Sequence, residues 1–418
     1  RAGRGGGIFN EGTLTLERST VAYNSSFNHG GGIYNQGVLN LINSTISSND
    51  AKSWPASQLP NAPYGGGIYN ATGGEVNASF STIALNSAEF GGGIYNLADL
   101  SIGSSVLAEN VATLDDSDDG FNAGSANLTS NGFNVITDNS SFGLSQPTDL
   151  VGDPLLTDLI SIQGSVPMHG ILPSSIAVDA GNPTGFPATD QRGGARPVPA
   201  NGTPDAGAYE LDSFTWETQL VVDSFTDVLD ADYSTGSLTL REAILWANAR
   251  DGTSASVDQI TFHPNLVEDL ALGRFENTLR LRDGELLISD DLEILDPGAV
   301  LATPIAGAPL LRISGDRKSR VFSIAPGVTA RLEGITITGG RQVDTGPFGS
   351  DGGGILNRGD LTLEEVIVER NFANREGGGI YNATGARLIV NRSTIEANRT
   401  NFGNGGGISN DDGILQKS

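Results

Sequence analysis

The chain has 418 residues, with 57 glycines, three histidines, no cysteine and a formal charge of −25. That acidic balance argues against nucleic acid or anionic lipid as a partner, and the missing cysteine excludes disulfide scaffolds, thiol nucleophiles and thiolate-held metals. No run of 18 apolar residues occurs, so no segment reads as a membrane-spanning helix.

In chain order, the first signal is a block Gly-Gly-Gly-Ile-x-Asn centred on Ile8, Ile33, Ile68 and Ile94, spaced by 25, 35 and 26 residues. The longer spacing follows from an insertion, Lys52 to Pro63. Each block is followed by an alternating run such as Leu39-Asn40-Leu41, then by Ser44-Thr45-Ile46 and Asn49. Three short β-prone runs per coil of ~25 residues cannot form a stable sheet alone, but they suit one turn of a solenoid. The expectation is an all-β, right-handed parallel β-helix, in which each strand pairs in parallel with its copy one coil away. Asn10, Asn35, Asn70, Asn96, Asn357, Asn382 and Asn410 are then expected to form a ladder of stacked amides at one bend.

Residues 1–127 read as the last coils of a first β-helix, and residues 128–211 as its end-capping module. Asp190, Arg192, Arg196, Asp205 and Glu210 are expected to hold that module by ion pairs. Residues 212–250 read as a linker, through Trp216, and an opening cap with a short helix. Leu240, Ile244 and Ala247 give the helix an apolar stripe, and Thr239 with Glu242 reads as a capping box. Residues 251–418 read as the first coils of a second β-helix, whose glycine blocks return at Ile355, Ile380 and Ile408.

The Leu238–Ile244 segment resembles the CSLREA-type opening motif of bacterial surface β-helix proteins, here without its cysteine. The segments Val178-Asp179-Ala180-Gly181, Asp190-Gln191-Arg192-Gly193 and Asp205–Glu210 resemble a choice-of-anchor Q-type end module. The glycine blocks are similar to repeats of polymorphic outer-membrane proteins and adhesins. Together these resemblances cover nearly the whole chain. They imply a secreted or surface-displayed β-helix of structural or adhesive type, with no catalytic residues to carry over. An end module followed by an opening module further suggests one period of a long tandem array cut inside a coil, with a trimmed fragment as the plainer alternative. The expected partners are copies of the chain end to end, and also glycans or cell surfaces.

Parallel β-helices also host polysaccharide lyases and glycosidases, which need facing carboxylates. The acidic pairs here, such as Asp118-Asp119 and Asp290-Asp291, sit in turn-like text, and His29, His169 and His263 read as structural or exposed. The chain is therefore read as non-enzymatic. No cofactor is required, and calcium is the one candidate ligand. Asp115, Ser117 and Asp119 before Gly120 offer alternating oxygens, and Asp230 and Asp232 form a weaker second set. Sequons at Asn24, Asn43, Asn77, Asn127, Asn139, Asn201, Asn391 and Asn398 are glycosylation candidates if the chain meets such a pathway.

Overall fold

The computed structural model describes residues 2–53, 62–114, 116–161, 165–200, 202–211, 219–229, 236–249, 257–263, 278–295, 311–343 and 350–417. It divides into two compact units, Arg1–Ser213 and Phe214–Ser418. Each is a parallel β-helix.

In the first unit, Ile8–Asn10, Ile33–Asn35, Ile68–Asn70, Ile94–Asn96 and Gly120–Asn122 form one parallel sheet. Thr13–Glu17, Val38–Ile42, Glu75–Ser79, Asp99–Gly103 and Asn127–Ser130 form a second. The third contains Thr20–Ala22, Thr45–Ser47, Thr82–Ala84, Val106–Ala108, Val135–Ile136 and Leu150–Val151. Beyond the three expected strands, the residues after each coil's last turn also pair, from Ala2–Arg4 to Val111–Ala112. Register is strict: Ile8, Ile33, Ile68 and Ile94 are direct partners, as are Leu14, Leu39, Val76 and Leu100. Stacking like on like makes a thin core in which Ile33, Leu39, Ile46, Ile68 and Ile83 are fully buried. Each such side chain contributes roughly 1.5–3 kcal/mol by leaving water.

The three glycines of each block have three separate reasons, seen at Gly65-Gly66-Gly67. Gly65 has φ +67°, where a side chain is strained. A Cβ on Gly66 would lie 2.4 Å from the carbonyl oxygens of Gly92 and Ser87. A Cβ on Gly67 would lie 2.7 Å from the oxygen of Gly93 and 3.0 Å from the Asn86 amide.

The expected end module separates into two parts. Phe142 and Leu144 join the apolar core beside Leu107, Leu128 and Ile136 and close it. A Cβ on Gly120 would lie 2.4 Å from the Phe142 ring, which fills the space that an inward isoleucine fills in earlier coils. The later residues run back along the outer face of the third sheet, across four coils. Gln191 bonds Thr45 Oγ1 at 2.6 Å and Thr20 Oγ1 at 2.8 Å. His169 Nε2 bonds Ser47 Oγ at 2.8 Å, Ala208 N bonds Thr82 Oγ1, and Gly207 N bonds the Ser104 carbonyl. Thr, Ser and Ala on that face leave room for backbone to approach.

In the second unit, Gln219–Val222 pairs with Asp258–Phe262, and five further strands follow to Ile414–Lys417. Two five-stranded sheets and a three-stranded one complete its coils. The helix Leu240–Ala249 lies between the first two strands in sequence. Its capping box forms as expected: Thr239 Oγ1 accepts from Glu242 N at 3.2 Å, and Glu242 Oε2 accepts from Thr239 N at 3.1 Å. Asn248 bonds the Leu287 carbonyl and the Ser289 amide, both at 2.8 Å, so the helix satisfies the first strand edge of its sheet. Arg241 grips Asp227 through two nitrogens at 2.7 and 3.0 Å. The expected linker at Trp216 lies outside the described residues.

Gly66→Ala should lower the unfolding midpoint steeply or prevent folding, because the clash is with backbone. Gly124→Ala, with open space around its Cβ, should change stability by no more than ~0.5 kcal/mol. Urea unfolding of the two variants checks this.

Candidate functional site

The side chains that the structure gathers most consistently are polar rungs at the coil corners. The expected asparagine ladder is present. Asn10 Nδ2 donates to Asn35 Oδ1 at 2.7 Å, Asn35 to Asn70 at 2.9 Å, Asn70 to Asn96 at 2.8 Å, and Asn96 onward to Asn122 at 2.8 Å. In the second unit Asn357 donates to Asn382 at 2.7 Å and Asn382 to Asn410 at 2.6 Å. Each amide also satisfies a turn carbonyl, such as Glu75 O from Asn35.

Two further ladders were not expected. Asn24 donates to Asn49 at 3.0 Å, Asn49 to Asn86 at 2.9 Å, and Asn86 to Asn110 at 2.9 Å. Asn371 donates likewise to Asn398 at 3.0 Å. At a third corner the amide of Ser19 donates to Ser44 Oγ, Ser44 to Ser81 Oγ, and Ser81 to Ser105 Oγ. The residue just before each rung has positive φ although it is not glycine: Tyr23, Ser48 and Leu85 before asparagine, and Arg18, Asn43 and Phe80 before serine. Such a backbone costs of order 1–3 kcal/mol and persists where surrounding bonds determine it.

These ladders reassign the first calcium candidate. Gly92 N, Gly93 N and Ile94 N donate to the carbonyls of Ser117, Asp118 and Asp119, and Ile94-Tyr95-Asn96 pairs with Gly120-Phe121-Asn122. Ser117–Asn122 is thus a fifth, degenerate copy of the glycine block. Ser117 Oγ accepts from Gly91 N at 2.7 Å. Asp119 Oδ1 accepts from Asn110 Nδ2 at 2.9 Å, and its Oδ2 accepts from Asp138 N at 2.7 Å. These oxygens serve the fold. Asp115, Asp230 and Asp232 lie outside the described residues. Among the described residues no group of three or more metal-ligating side chains gathers.

The sequons divide by environment. Asn24 and Asn398 are ladder rungs, and Asn43 is buried beneath the flanking segment, donating to Thr189 O at 2.6 Å. Asn77, Asn127, Asn139 and Asn391 are exposed or half-buried, with amides bonded to Glu75, Asp99, Leu144 O and Glu364. Asn201 lies outside the described residues.

The expected ion-pair group of the flanking segment assembles. Arg192 Nε lies 2.7 Å from Asp190, and Arg196 Nε lies 3.1 Å from Glu210. The Arg192 guanidinium sits 4.1 Å over Tyr209, and that of Arg196 sits 4.7 Å over Phe80. Asp190 Oδ1 accepts three backbone amides, from Arg192, Gly193 and Gly194. Asp205 accepts from Asp179 N and Leu211 N. Burial pushes the Asp205 and Glu210 carboxyls up. All of these acids are buried and engaged.

The three histidines sit in or directly after strands. His29 is not in a turn: it ends the strand Ser25–His29 and stacks on Tyr64 and Tyr69, with centroids 5.1 and 4.6 Å away. Burial, with help from Arg4, pushes its pKa down to about 4. It joins an aromatic stack, Phe9, Tyr34, Tyr69, Tyr95 and Phe121, that follows the coil register. Buried His169 faces the Thr157 carbonyl through Nδ1 at 2.8 Å, and burial lowers its pKa. His263 follows the strand Asp258–Phe262, and its amide bonds the Val222 carbonyl. No protein-family model, curated protein or solved structure matches the chain.

Asn86→Ala takes the acceptor from the buried backbone amide of Asn49 and one of two acceptors from Asn49 Nδ2, while Asn110 Oδ1 keeps the amide of residue 86. It should destabilise by about 1–3 kcal/mol for each orphaned group, read by chemical denaturation. Burial raises the Asp119 pKa from 3.8 to about 6. Its contribution is therefore full below pH 3.8 and is lost as pH rises through 6. Asp119→Asn should remove that dependence. Melting curves should show wild type gaining on the variant between about pH 7.5 and pH 5. His29 acts oppositely, losing stability as pH falls from 6.5 toward 4, and cancels in the difference.

Proposed function

We propose that the chain is a non-enzymatic, extracellular structural or adhesive β-helix, one period of a long tandem-repeat protein displayed on a cell surface. The observation that carries this reading is the repetition of one coil scheme in both units. Isoleucine, asparagine and glycine recur at the same register positions, Ile33-Tyr34-Asn35 in one and Ile380-Tyr381-Asn382 in the other. Such a lattice adds stability coil by coil through neighbour contacts, which suits a stiff spacer better than a catalyst. A closing plug at Phe142 followed by an edge-satisfying helix at Leu240–Ala249 is the order that joined β-helices need. The resemblance to bacterial surface β-helices supports the same location. Among the described residues no helix is long and apolar enough to cross a membrane.

The polysaccharide-cleaving alternative lacks support in the acids. Of the buried ones, Asp119, Asp190, Asp205 and Glu210 are occupied by amides and guanidinium groups. A glycan-binding adhesin that forms no filament remains the second reading, and a basic row described below favours its binding component.

The native protein, recovered without proteolysis and denatured, should have a chain mass far above the 43.3 kDa of these residues. A mass near 43.3 kDa would overturn the covalent array. Incubation with acidic and neutral polysaccharides should release no new reducing or unsaturated ends.

A further inference from the structure

The three-stranded sheet of the second unit brings Arg341, Phe372 and Arg399 together as direct partners in three successive coils. Both guanidinium carbons lie 5.9 Å from the centre of the Phe372 ring. Both arginines are exposed. Among the described residues neither guanidinium has a carboxylate or hydrogen-bond partner. Neighbouring arginines differ: Arg312 pairs with Glu369, Arg375 with Asp351, and Arg392 with Glu364. The matching row of the first unit, the residues after each ladder asparagine, reads Ser25, Asp50, Ser87 and Val111. The basic row therefore belongs to the second unit and is not a requirement of the coil.

Backbone pairing continues two residues beyond the row. There Asn401 Nδ2 donates to Asn374 Oδ1 at 3.2 Å. Next to it Phe402 is 82% exposed. One exposed strip thus offers two unpaired guanidinium groups, two amides and two aromatic rings, in a chain whose net charge is −25.

We propose that this strip binds an anionic polysaccharide, bearing carboxylate or sulfate groups, laid along the coil axis. Coils repeat at about 4.8 Å, so the two arginines stand roughly 10 Å apart along that axis. A linear polymer with regularly spaced charges matches such a row. Guanidinium forks pair with carboxylate or sulfate oxygens. A ring between them leaves their N–H edges free and offers an apolar face to sugar C–H groups. The amides suit sugar hydroxyls. The proposal names a ligand for the adhesive part of the function above and rests on that part alone. The native chain mass is independent of it, so the two fail separately.

The test titrates the full 418-residue chain with polygalacturonate, heparin and neutral dextran at low salt. Binding to at least one polyanion and none to dextran is expected, and the preferred polymer separates carboxylate from sulfate recognition. Arg341→Gln with Arg399→Gln should weaken binding at least tenfold and flatten its salt dependence. Phe372→Leu should weaken it severalfold. Arg387→Gln, on another sheet and bonded to Gln416, should leave it unchanged. Absence of binding to either polyanion, or equal losses in Arg387→Gln and the double variant, would overturn the site. Wild-type self-association that the double variant abolishes would assign the strip to a second acidic copy, and would overturn it too.

Discussion

In-register parallel pairing forces every side chain to meet its own equivalent one coil away, and the rest of the structure follows from that constraint. Inside, like on like favours isoleucine and leucine. At a buried corner it admits few polar residues, because a stacked group must both give and take a hydrogen bond. Asparagine does this through one amide, and serine does it with the help of the backbone. A carboxylate cannot continue such a row, since it only accepts. From rung to rung the donors point toward the later coil, and two ladders end on acids. Asn110 donates to Asp119, and Asn134 donates to Asp149 at 2.8 Å. These two ladders, the second reached through Ser105 N donating to Asn134 Oδ1, stop at a residue that has nothing to donate.

The same constraint leaves strand edges and coil faces that other segments must cover. At the end of the first unit Phe142 fills the core where Gly120 replaces isoleucine. At the start of the second, Arg241 reaches the carbonyls of Gly284 and Glu285, while Asn248 serves the strand beside them. The flanking segment uses the third sheet differently. It lies on a face of Thr45, Ser47, Thr82 and Ala84, where short side chains let Gln191 and the backbone of Gly207 approach. The equivalent positions of the second unit include Arg280, Arg312 and Glu369, which pair among themselves and with Asp316 instead.

Much of this was legible in the sequence. Glycine blocks and alternating leucines give the solenoid, its register, the first asparagine ladder and the capping box at Thr239, because each is set by contacts between neighbouring repeats. Other features depend on tertiary placement and left no local signal. Ser117–Asn122 keeps only Gly-Phe-Asn of its block, so its aspartates read as a calcium loop. Nothing local marks Ser44, Ser81 and Asn49 as rungs. Nothing in Gln191 or His169 announces that they meet a sheet more than 100 residues earlier. Turn rules also fail at Phe80 and Leu85, whose φ of 47° and 57° is imposed by the rungs that follow them.

The central claim is that each coil is held by its neighbours through these rungs. Amide hydrogen exchange on wild type and Asn86→Ala tests it most directly. The account predicts that exchange rises in the strands on both sides of the lost rung, Thr45–Ser47 and Val106–Ala108, as well as in Thr82–Ala84. A rise confined to residues 82–88 would contradict it, and would show coils that hold their own structure.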